Sequence, residues 1–317
     1  MAARLVFLGT ASFAVPTLEA LVRSGTPPVA VYTRPDQPAG RGRTPRPSPV
    51  KERALALGLP VLQPLALRGL EATEELKRLA PTVLILAAYG LLLPPSFLTV
   101  APKGGLNIHP SLLARHRGPS PVVWTLLEGD AEAGVTVFLM DEGMDSGPVL
   151  SQRSIQIMAG ETAGSLTQRL AEEGARLLME TLRPWLDGVL RPVAQDSSQA
   201  TYSRLLRKED GELDFHRPAV QLERQVRAFQ PWPGTFTRWS GQRLKILQAA
   251  ALPGEGEPGA VVLVPADAAR ATKTQVGIAT KDGVLGLLRV QPEGRRPMAA
   301  GEFVRGRHDF LGSSLPS

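Results

Sequence analysis

The 317-residue chain contains no cysteine. That excludes a disulfide framework, a thiolate-bound zinc and a cysteine nucleophile. No apolar run approaches the ~20 residues a membrane helix needs. The opening segment MAARLVFLGTASFAVPTLEALV has one early arginine and an apolar stretch, but Gly9 and Pro16 interrupt it and no small-residue cleavage site follows. It reads as strand, turn and helix, so the expected location is the cytoplasm. Glycine-rich phosphate loops are missing as well. In the turn Gly9-Thr10-Ala11-Ser12-Phe13-Ala14, Ala11 and Ala14 stand where a dinucleotide fingerprint needs glycine, and there is no Walker A loop.

Hydrophobic residues make up 43% and charged residues 21%, enough for a packed core. The length suggests two domains. The net charge of +6 is unevenly spread: residues 201–317 carry 17 basic against 12 acidic residues, residues 1–200 carry 19 against 18. Within 34–51, Arg34, Arg41, Arg43, Arg46 and Lys51 face only Asp36. Two basic regions around a neutral body point to a polyanionic partner.

Short apolar runs at 4–8, 29–32, 82–89, 104–111 and 134–141 read as strands. Helical patterns lie at 15–23, 51–58, 70–80 and 162–186. The alternation, with several strands wholly apolar, predicts a doubly wound α/β domain with a parallel sheet. The segment RPDQPAGRGRTPRPSPVK (34–51) has too many prolines for a helix or central strand and reads as a long exposed loop. Residues 187–204 read as a connector. Beyond it, a helix at 219–228 precedes TFTRW, LKILQAAAL, GAVVLV, QVGIAT and GVLGLLRVQ, short strands that predict a small β-barrel or sandwich. The expected domains are 1–204 and 205–317.

Two segments carry chemistry. Asn107 and His109, two apart on an extended run, put both side chains on one side. Asp141, Glu142 and Asp145 occupy a glycine-flanked loop after a strand. A carboxylate orients an imidazole and stabilises its cation. An imidazolium and an amide N–H together stabilise an oxyanion. Each feature alone also fits a structural role: a capping asparagine, a satisfied core histidine or a solvated acidic turn.

Taken together, N-x-H-P-S-L-L at Asn107–Leu113, R-G-P-S-P at Arg117–Pro121 and D-E-G-M-D-S-G-P at Asp141–Pro148 resemble the folate-dependent formyltransferase family. The loop 34–51 and the QPWPGTF segment (230–236) extend the resemblance over nearly the whole chain. It implies a Rossmann-like amino-terminal domain and a carboxyl-terminal OB-like β-barrel. It implies transfer of a formyl group from 10-formyltetrahydrofolate to the α-amino group of initiator methionyl-tRNA, with no metal required. No oligomeric partner is evident in the sequence, so a monomer is expected. Carried over by motif, Asn107, His109 and Asp145 are catalytic. Ser111, Leu112, Leu113 and Ala114, with Ala88, Tyr89, Gly90, Leu91, Leu92 and Asp141, would bind the folate. Arg34, Arg41, Arg43, Arg46 and Lys51 would meet the tRNA acceptor end. Ala114 departs from the usual proline after S-L-L. A formyltransferase for a nucleotide-sugar amine or for glycinamide ribonucleotide, a hydrolase of formyl-folate, and a non-catalytic tRNA-binding protein are the alternatives. The basic loop, the second domain and the intact polar trio count against them.

Overall fold

The computed structural model describes residues 3–39, 44–272 and 274–317. Arg41 and Arg43 lie outside the described residues. The chain forms two compact units. One comprises Met1–Pro121, Glu132–Gln156 and Leu166–Ser203, the other Val122–Ala131, Ile157–Ser165 and Arg204–Ser317. Two short segments of the amino-terminal half are thus grouped with the carboxyl-terminal unit.

The first unit runs β1 (Leu5–Gly9), α1 (Val15–Arg23), β2 (Ala30–Tyr32), β3 (Gln37–Ala39), β4 (Thr44–Arg46), α2 (Pro49–Ala56), β5 (Val61–Leu62), α3 (Leu70–Arg78), β6 (Val83–Ala87), α4 (Pro95–Leu98) and β7 (Gly105–His109). After α5 (Pro121–Glu128), most of which belongs to the second unit, come β8 (Glu132–Leu139), β9 (Val149–Gln156) and α6 (Ala163–Leu186). Every residue of β1 and β6 is buried, as expected of strands covered on both faces. Each fully buried Val, Leu or Ile side chain contributes roughly 1.5–3 kcal/mol. The sheet order is β5-β2-β1-β6-β7-β8-β9. The chain steps outward from β1 in one direction through β2 and β5, then in the other through β6 and β7. This creates the switch point at which open α/β sheets gather ligands beyond their carboxyl ends.

The expectation of a parallel sheet needs correction. β5, β2, β1, β6 and β7 are parallel, but β8 pairs antiparallel with β7 and β9 antiparallel with β8. Sequence patterning does not reveal β9. Its sequence VLSQRSIQ lies at the edge and is too polar to stand out as an apolar run. Residues 34–51 are not a featureless loop either. β3 and β4 form a two-stranded hairpin, Pro38 opposite Pro45, and α2 begins at Pro49 with the Ser48 side chain accepting the Lys51 N–H at 3.0 Å. A two-stranded ribbon tolerates proline because each strand has one edge with no ladder to serve. The Ser48 cap starts the helix two residues before its apolar pattern becomes visible.

The second unit contains α7 (Ala219–Ala228), β10 (Thr235–Trp239), β11 (Gln242–Leu252), β12 (Val261–Leu263), α8 (Ala266–Thr272), β13 (Val276–Ala279), β14 (Val284–Pro292), β15 (Met298–Ala299) and α9 (Ala300–Arg305). Its strands form a curled antiparallel sheet in the order β10-β11-β14-β13-β12, with β15 also on β14. β10 and β12 end that order, and the closing segment 312–317 bonds the outer side of both: the Val261 N–H donates to the Ser313 carbonyl at 2.8 Å and the Ser317 N–H to the Arg238 carbonyl at 3.1 Å, so the expected barrel is a curled half-barrel. Leu222 and Val226 of α7 join Ile246, Ile278, Leu285 and Leu287 in its core.

Candidate active site

β7 places the first two site residues. Gly174 of α6 approaches the sheet so closely that a Cβ there would sit 2.7 Å from Ile108 Cγ2. Ile108 therefore faces α6, and Asn107 and His109, of opposite parity, face the other side. Asn107 lies between Leu86 of β6 and Phe138 of β8, and His109 lies opposite Thr136. The half-buried Asn107 amide makes no hydrogen bond to any described residue, so both its donor and its acceptor are available.

His109 is 5% exposed and its ring meets Phe138 edge-on. Its Nε2 lies 3.1 Å from the His116 carbonyl oxygen. A carbonyl only accepts, so Nε2 carries a proton and Nδ1 is the nitrogen left to exchange one. Nδ1 faces Asp145 Oδ2 at 3.7 Å. The structure thus brings His109 and Asp145 together, with Asn107 on the same face.

Asp145 does not arrive there as the end of a parallel strand. Because β8 is antiparallel, its last residues lie beside the start of β7, where the Met140 N–H bonds the Gly105 carbonyl at 2.8 Å. The loop 140–148 must run back toward the carboxyl end of β7 to deliver its carboxylate. Asp145 takes a left-handed backbone, φ 51°, which is uncommon for a residue with a Cβ. Its Oδ2 accepts the Gly118 N–H at 2.8 Å. Gly118 itself has φ 101°, and a Cβ there would lie 2.7 Å from the Ser203 carbonyl oxygen, so only glycine can present that amide.

The remaining residues expected at the site fall into three groups. Ser111–Ala114 is pinned against β8 and β9. Thr136 donates to the Ser111 carbonyl at 2.7 Å and accepts the Leu113 N–H at 3.2 Å, while Gln152 donates to the Leu113 carbonyl at 2.9 Å. Ala88–Leu92 follows β6. The Ala88 carbonyl accepts the N–H groups of Thr10 and Ala11 at 3.2 and 3.3 Å, so those two amides are not left to cradle a phosphate. Tyr89 is buried, its hydroxyl has no partner among the described residues, and burial pushes it up to about 12 against the opposing pull of Arg34. Gly90 and Leu92 are exposed and Leu91 is half-buried. The Asp141 carboxylate is spent inside its own loop, accepting from the Gly143 N–H at 3.0 Å and Ser146 Oγ at 2.9 Å.

In the basic segment, Arg34 and Arg46 are exposed and have no acidic partner among the described residues. Lys51 differs, because its ammonium is held by Asp36 at 2.8 Å. Gln63 donates to Asp36 Oδ1 and to the Arg34 carbonyl, both at 2.8 Å.

Sequence reasoning gives no role to Arg117, Thr136, Gln152 or Gln195. Arg117 stands in one of the family motifs, but Gln195 lies in a segment that reads as a plain connector. The buried Arg117 bonds the Gln195 side-chain oxygen, and Gln195 in turn holds the backbone around Asp145.

Residues 3–182 match the family described as Formyl transferase, and residues 205–308 match Formyl transferase, C-terminal domain. The chain belongs to the formyl transferase family. Its relatives include the methionyl-tRNA formyltransferase of Myxococcus xanthus, 44% identical over 313 residues, which covers 99% of this chain and 97% of that protein. Another, from a Roseiflexus species, is 45% identical over 310 residues, covering 96% and 93%. The fold is shared with HypX from Aquifex aeolicus in complex with tetrahydrofolic acid, at 18% identity and a TM-score of 0.62 over 95% of this chain and 46% of that one. It is also shared with an N-formyltransferase from Helicobacter canadensis in complex with folinic acid and dTDP-3-aminofucose, at 16% identity and a TM-score of 0.64 over 90% and 99%. Among the described residues no helix is long and apolar enough to cross a membrane.

Proposed function

We propose that the protein transfers the formyl group of 10-formyltetrahydrofolate to the α-amino group of methionyl initiator tRNA. The observation that carries this reading is 44% identity to a methionyl-tRNA formyltransferase along 99% of the chain. The site supplies a chemistry that fits. The amine nitrogen attacks the formyl carbon, a C–N bond forms, and the carbonyl oxygen becomes an oxyanion. The Asn107 amide, which makes no hydrogen bond to any described residue and lies on the His109 face, and the His109 imidazolium stabilise that charge. The bond from the formyl carbon to N10 then breaks, the amine having lost a proton and N10 having gained one. His109 Nδ1 and Asp145 are the groups placed to pass that proton.

Ala88–Leu92, Ser111–Ala114 and Asp141 are assigned to the folate. The buried Tyr89 hydroxyl, without a partner among the described residues, fits a role in meeting a polar ring system. Arg34, Arg41, Arg43 and Arg46 are assigned to the acceptor end, with Lys51 at the base of the same hairpin. Residues 1–204 carry the transfer, and 205–317 form an OB-like domain for the tRNA body. The protein works as a cytoplasmic monomer.

The test is formyl transfer from 10-formyltetrahydrofolate to methionyl-tRNA, with a dTDP-amino sugar offered in competition. Formyl-methionyl-tRNA as the product supports the reading. Preferential formylation of the sugar overturns it.

A further inference from the structure

We infer that Gln195, held in place by Arg117, is a positioning residue that sets the Asp145 carboxylate against His109. The inference rests on the catalytic reading of Asp145 given above.

Gln195 lies in the segment between α6 and the second unit, far from the site in sequence. Its amide reads two carbonyls of the Asp145 loop, donating from Nε2 to the Asp145 oxygen at 2.8 Å and to the Gly147 oxygen at 2.7 Å. Its oxygen accepts two N–H groups from Arg117, Nε at 3.1 Å and Nη2 at 2.8 Å. The orientation of the amide is therefore unambiguous. Carbonyls only accept and guanidinium only donates, so a flipped amide would set like against like at all four contacts.

Arg117 is only 3% exposed, and a buried guanidinium must be satisfied by hydrogen bonds. Besides Gln195, it donates to the Tyr202 hydroxyl at 3.3 Å and packs over the Tyr202 ring at 5.9 Å. Its own backbone is locked to the same connector. The Arg117 N–H bonds the Thr201 carbonyl at 2.9 Å, and the Arg117 carbonyl accepts from the Ser203 N–H at 2.7 Å and Ser203 Oγ at 3.0 Å. The connector thus closes a ring of contacts around the Asp145 loop.

That loop needs holding. A left-handed non-glycine residue is strained and persists only where its surroundings over-determine it. Gly118 fixes the Asp145 side chain through Oδ2, and Gln195 fixes its backbone through the carbonyl. At Gly147 a Cβ would collide with the Leu139 carbonyl, which closes the other side of the loop. Removing the Gln195 amide frees two carbonyls and lets Asp145 relax away from a 3.7 Å approach to Nδ1. Misplacement by about 1 Å costs up to ~10²-fold in rate.

The experiment measures single-turnover formyl transfer with the full chain, normalised to the fraction competent to bind folate. Gln195→Ala is expected to lower the rate about 10- to 100-fold, with KM for both substrates little changed. Gln195→Met fills the same volume without donors and should fare no better. Gln195→Glu keeps the acceptor for Arg117 but turns lone pairs toward the two carbonyls, and should be at least as slow. Rescue by Met or Glu overturns the inference, because volume or the Arg117 contact alone would then suffice. The decisive comparison places Gln195→Ala in an Asp145→Asn background. A residue acting through Asp145 adds little further loss there, whereas a full additional loss overturns its role. If Asp145→Asn alone retains wild-type rate, the catalytic reading of Asp145 fails, which is a different result from an active Gln195→Ala beside an inactive Asp145→Asn.

Discussion

Lys51 lays its ammonium across both carboxylate oxygens of Asp36, at 2.9 and 2.8 Å. Gln63 completes the arrangement by tying Asp36 Oδ1 to the Arg34 carbonyl. The pair staples the two ends of the basic hairpin where it leaves the sheet. Asp36→Asn removes the staple and also makes the hairpin more positive. Charge alone would then strengthen binding to a polyanion, while weaker preorganisation opposes it. Preorganisation is expected to win, raising KM for tRNA about 3- to 10-fold with KM for folate unchanged. Steady-state kinetics with each substrate varied in turn decide it. A lower KM for tRNA would show that the staple does not order the hairpin.

The same pair sets a pH dependence. Hydrogen bonding from Lys51, then from Gln63, holds the Asp36 carboxyl below the usual carboxylate range. A depressed acid contributes its order above the ordinary value and loses it as pH falls through the depressed one. Hydrogen exchange in β3 and β4, relative to the intrinsic rate, should therefore be level from about pH 8 down to about 4 and rise only below that. A rise beginning near pH ~6 would mean that another group controls the hairpin.

The site's parts are more legible in the sequence than its assembly. Asn107 and His109 on one face follow from strand periodicity, the bounds of α7 follow from its pattern after Pro218, and apolar runs locate β1 and β6, though β1 lies one residue later than its run and β6 stops two residues before its run does. What stays hidden is whatever depends on distant pairing. The direction of β8 is fixed by its partners, and nothing in GVTVFLM distinguishes a parallel from an antiparallel strand. β9 is a polar edge strand whose order comes from β8. Gln195 is one glutamine in a connector without periodicity, and only tertiary contact reveals its work. The hairpin at 37–46 is concealed by prolines that exclude central strands but are harmless in a ribbon with open edges.

His109→Ala and Asp145→Asn should each reduce kcat by about 10²–10³ while leaving the folded state intact. Asn107→Ala should lose a similar factor and leave the fold intact, because the amide makes no hydrogen bond to any described residue. Melting temperatures near wild type, together with the collapse in turnover, would locate the loss in chemistry. Full activity in folded variants of all three would remove the oxyanion mechanism.

The second unit has an aromatic keystone that tests its core independently of catalysis. Trp239 meets Phe303 and Phe310 edge to face, with centroids 5.6 and 5.4 Å away, and the two phenylalanines stand 5.0 Å apart. Phe310 is fully buried. Phe310→Ala is expected to cost about 3–5 kcal/mol. Denaturant unfolding followed by tryptophan emission, in a background where Trp124, Trp185 and Trp232 are replaced by Phe, reads it through Trp239. A loss below about 1 kcal/mol would mean that the site collapses around the cavity.

Free cations and a spent one differ in how tRNA binding responds to salt. Arg34 just before the hairpin, Arg46 in β4, and Arg295 and Arg307 in the second unit are exposed and have no acidic partner among the described residues. Lys51 is equally basic in sequence, but its charge is already neutralised by Asp36. A phosphate contact releases counterions only when a free cation makes it. Replacing Arg34 or Arg46 by Ala should weaken tRNA binding and reduce the slope of log affinity against log salt by about one unit per phosphate no longer held. Arg295→Ala with Arg307→Ala should do the same from the second unit, because that substitution leaves both units intact. Truncation at residue 204 does not, since Val122–Ala131 and Ile157–Ser165 belong to the second unit and would be left without the fold they pack in. Lys51→Ala should also weaken binding, by loosening the hairpin, yet leave the slope where it was. Titrating tRNA at several salt concentrations against all four variants reads both quantities at once. A slope change for Lys51→Ala equal to that for Arg34→Ala would mean that Asp36 gives up the lysine to the phosphate on binding.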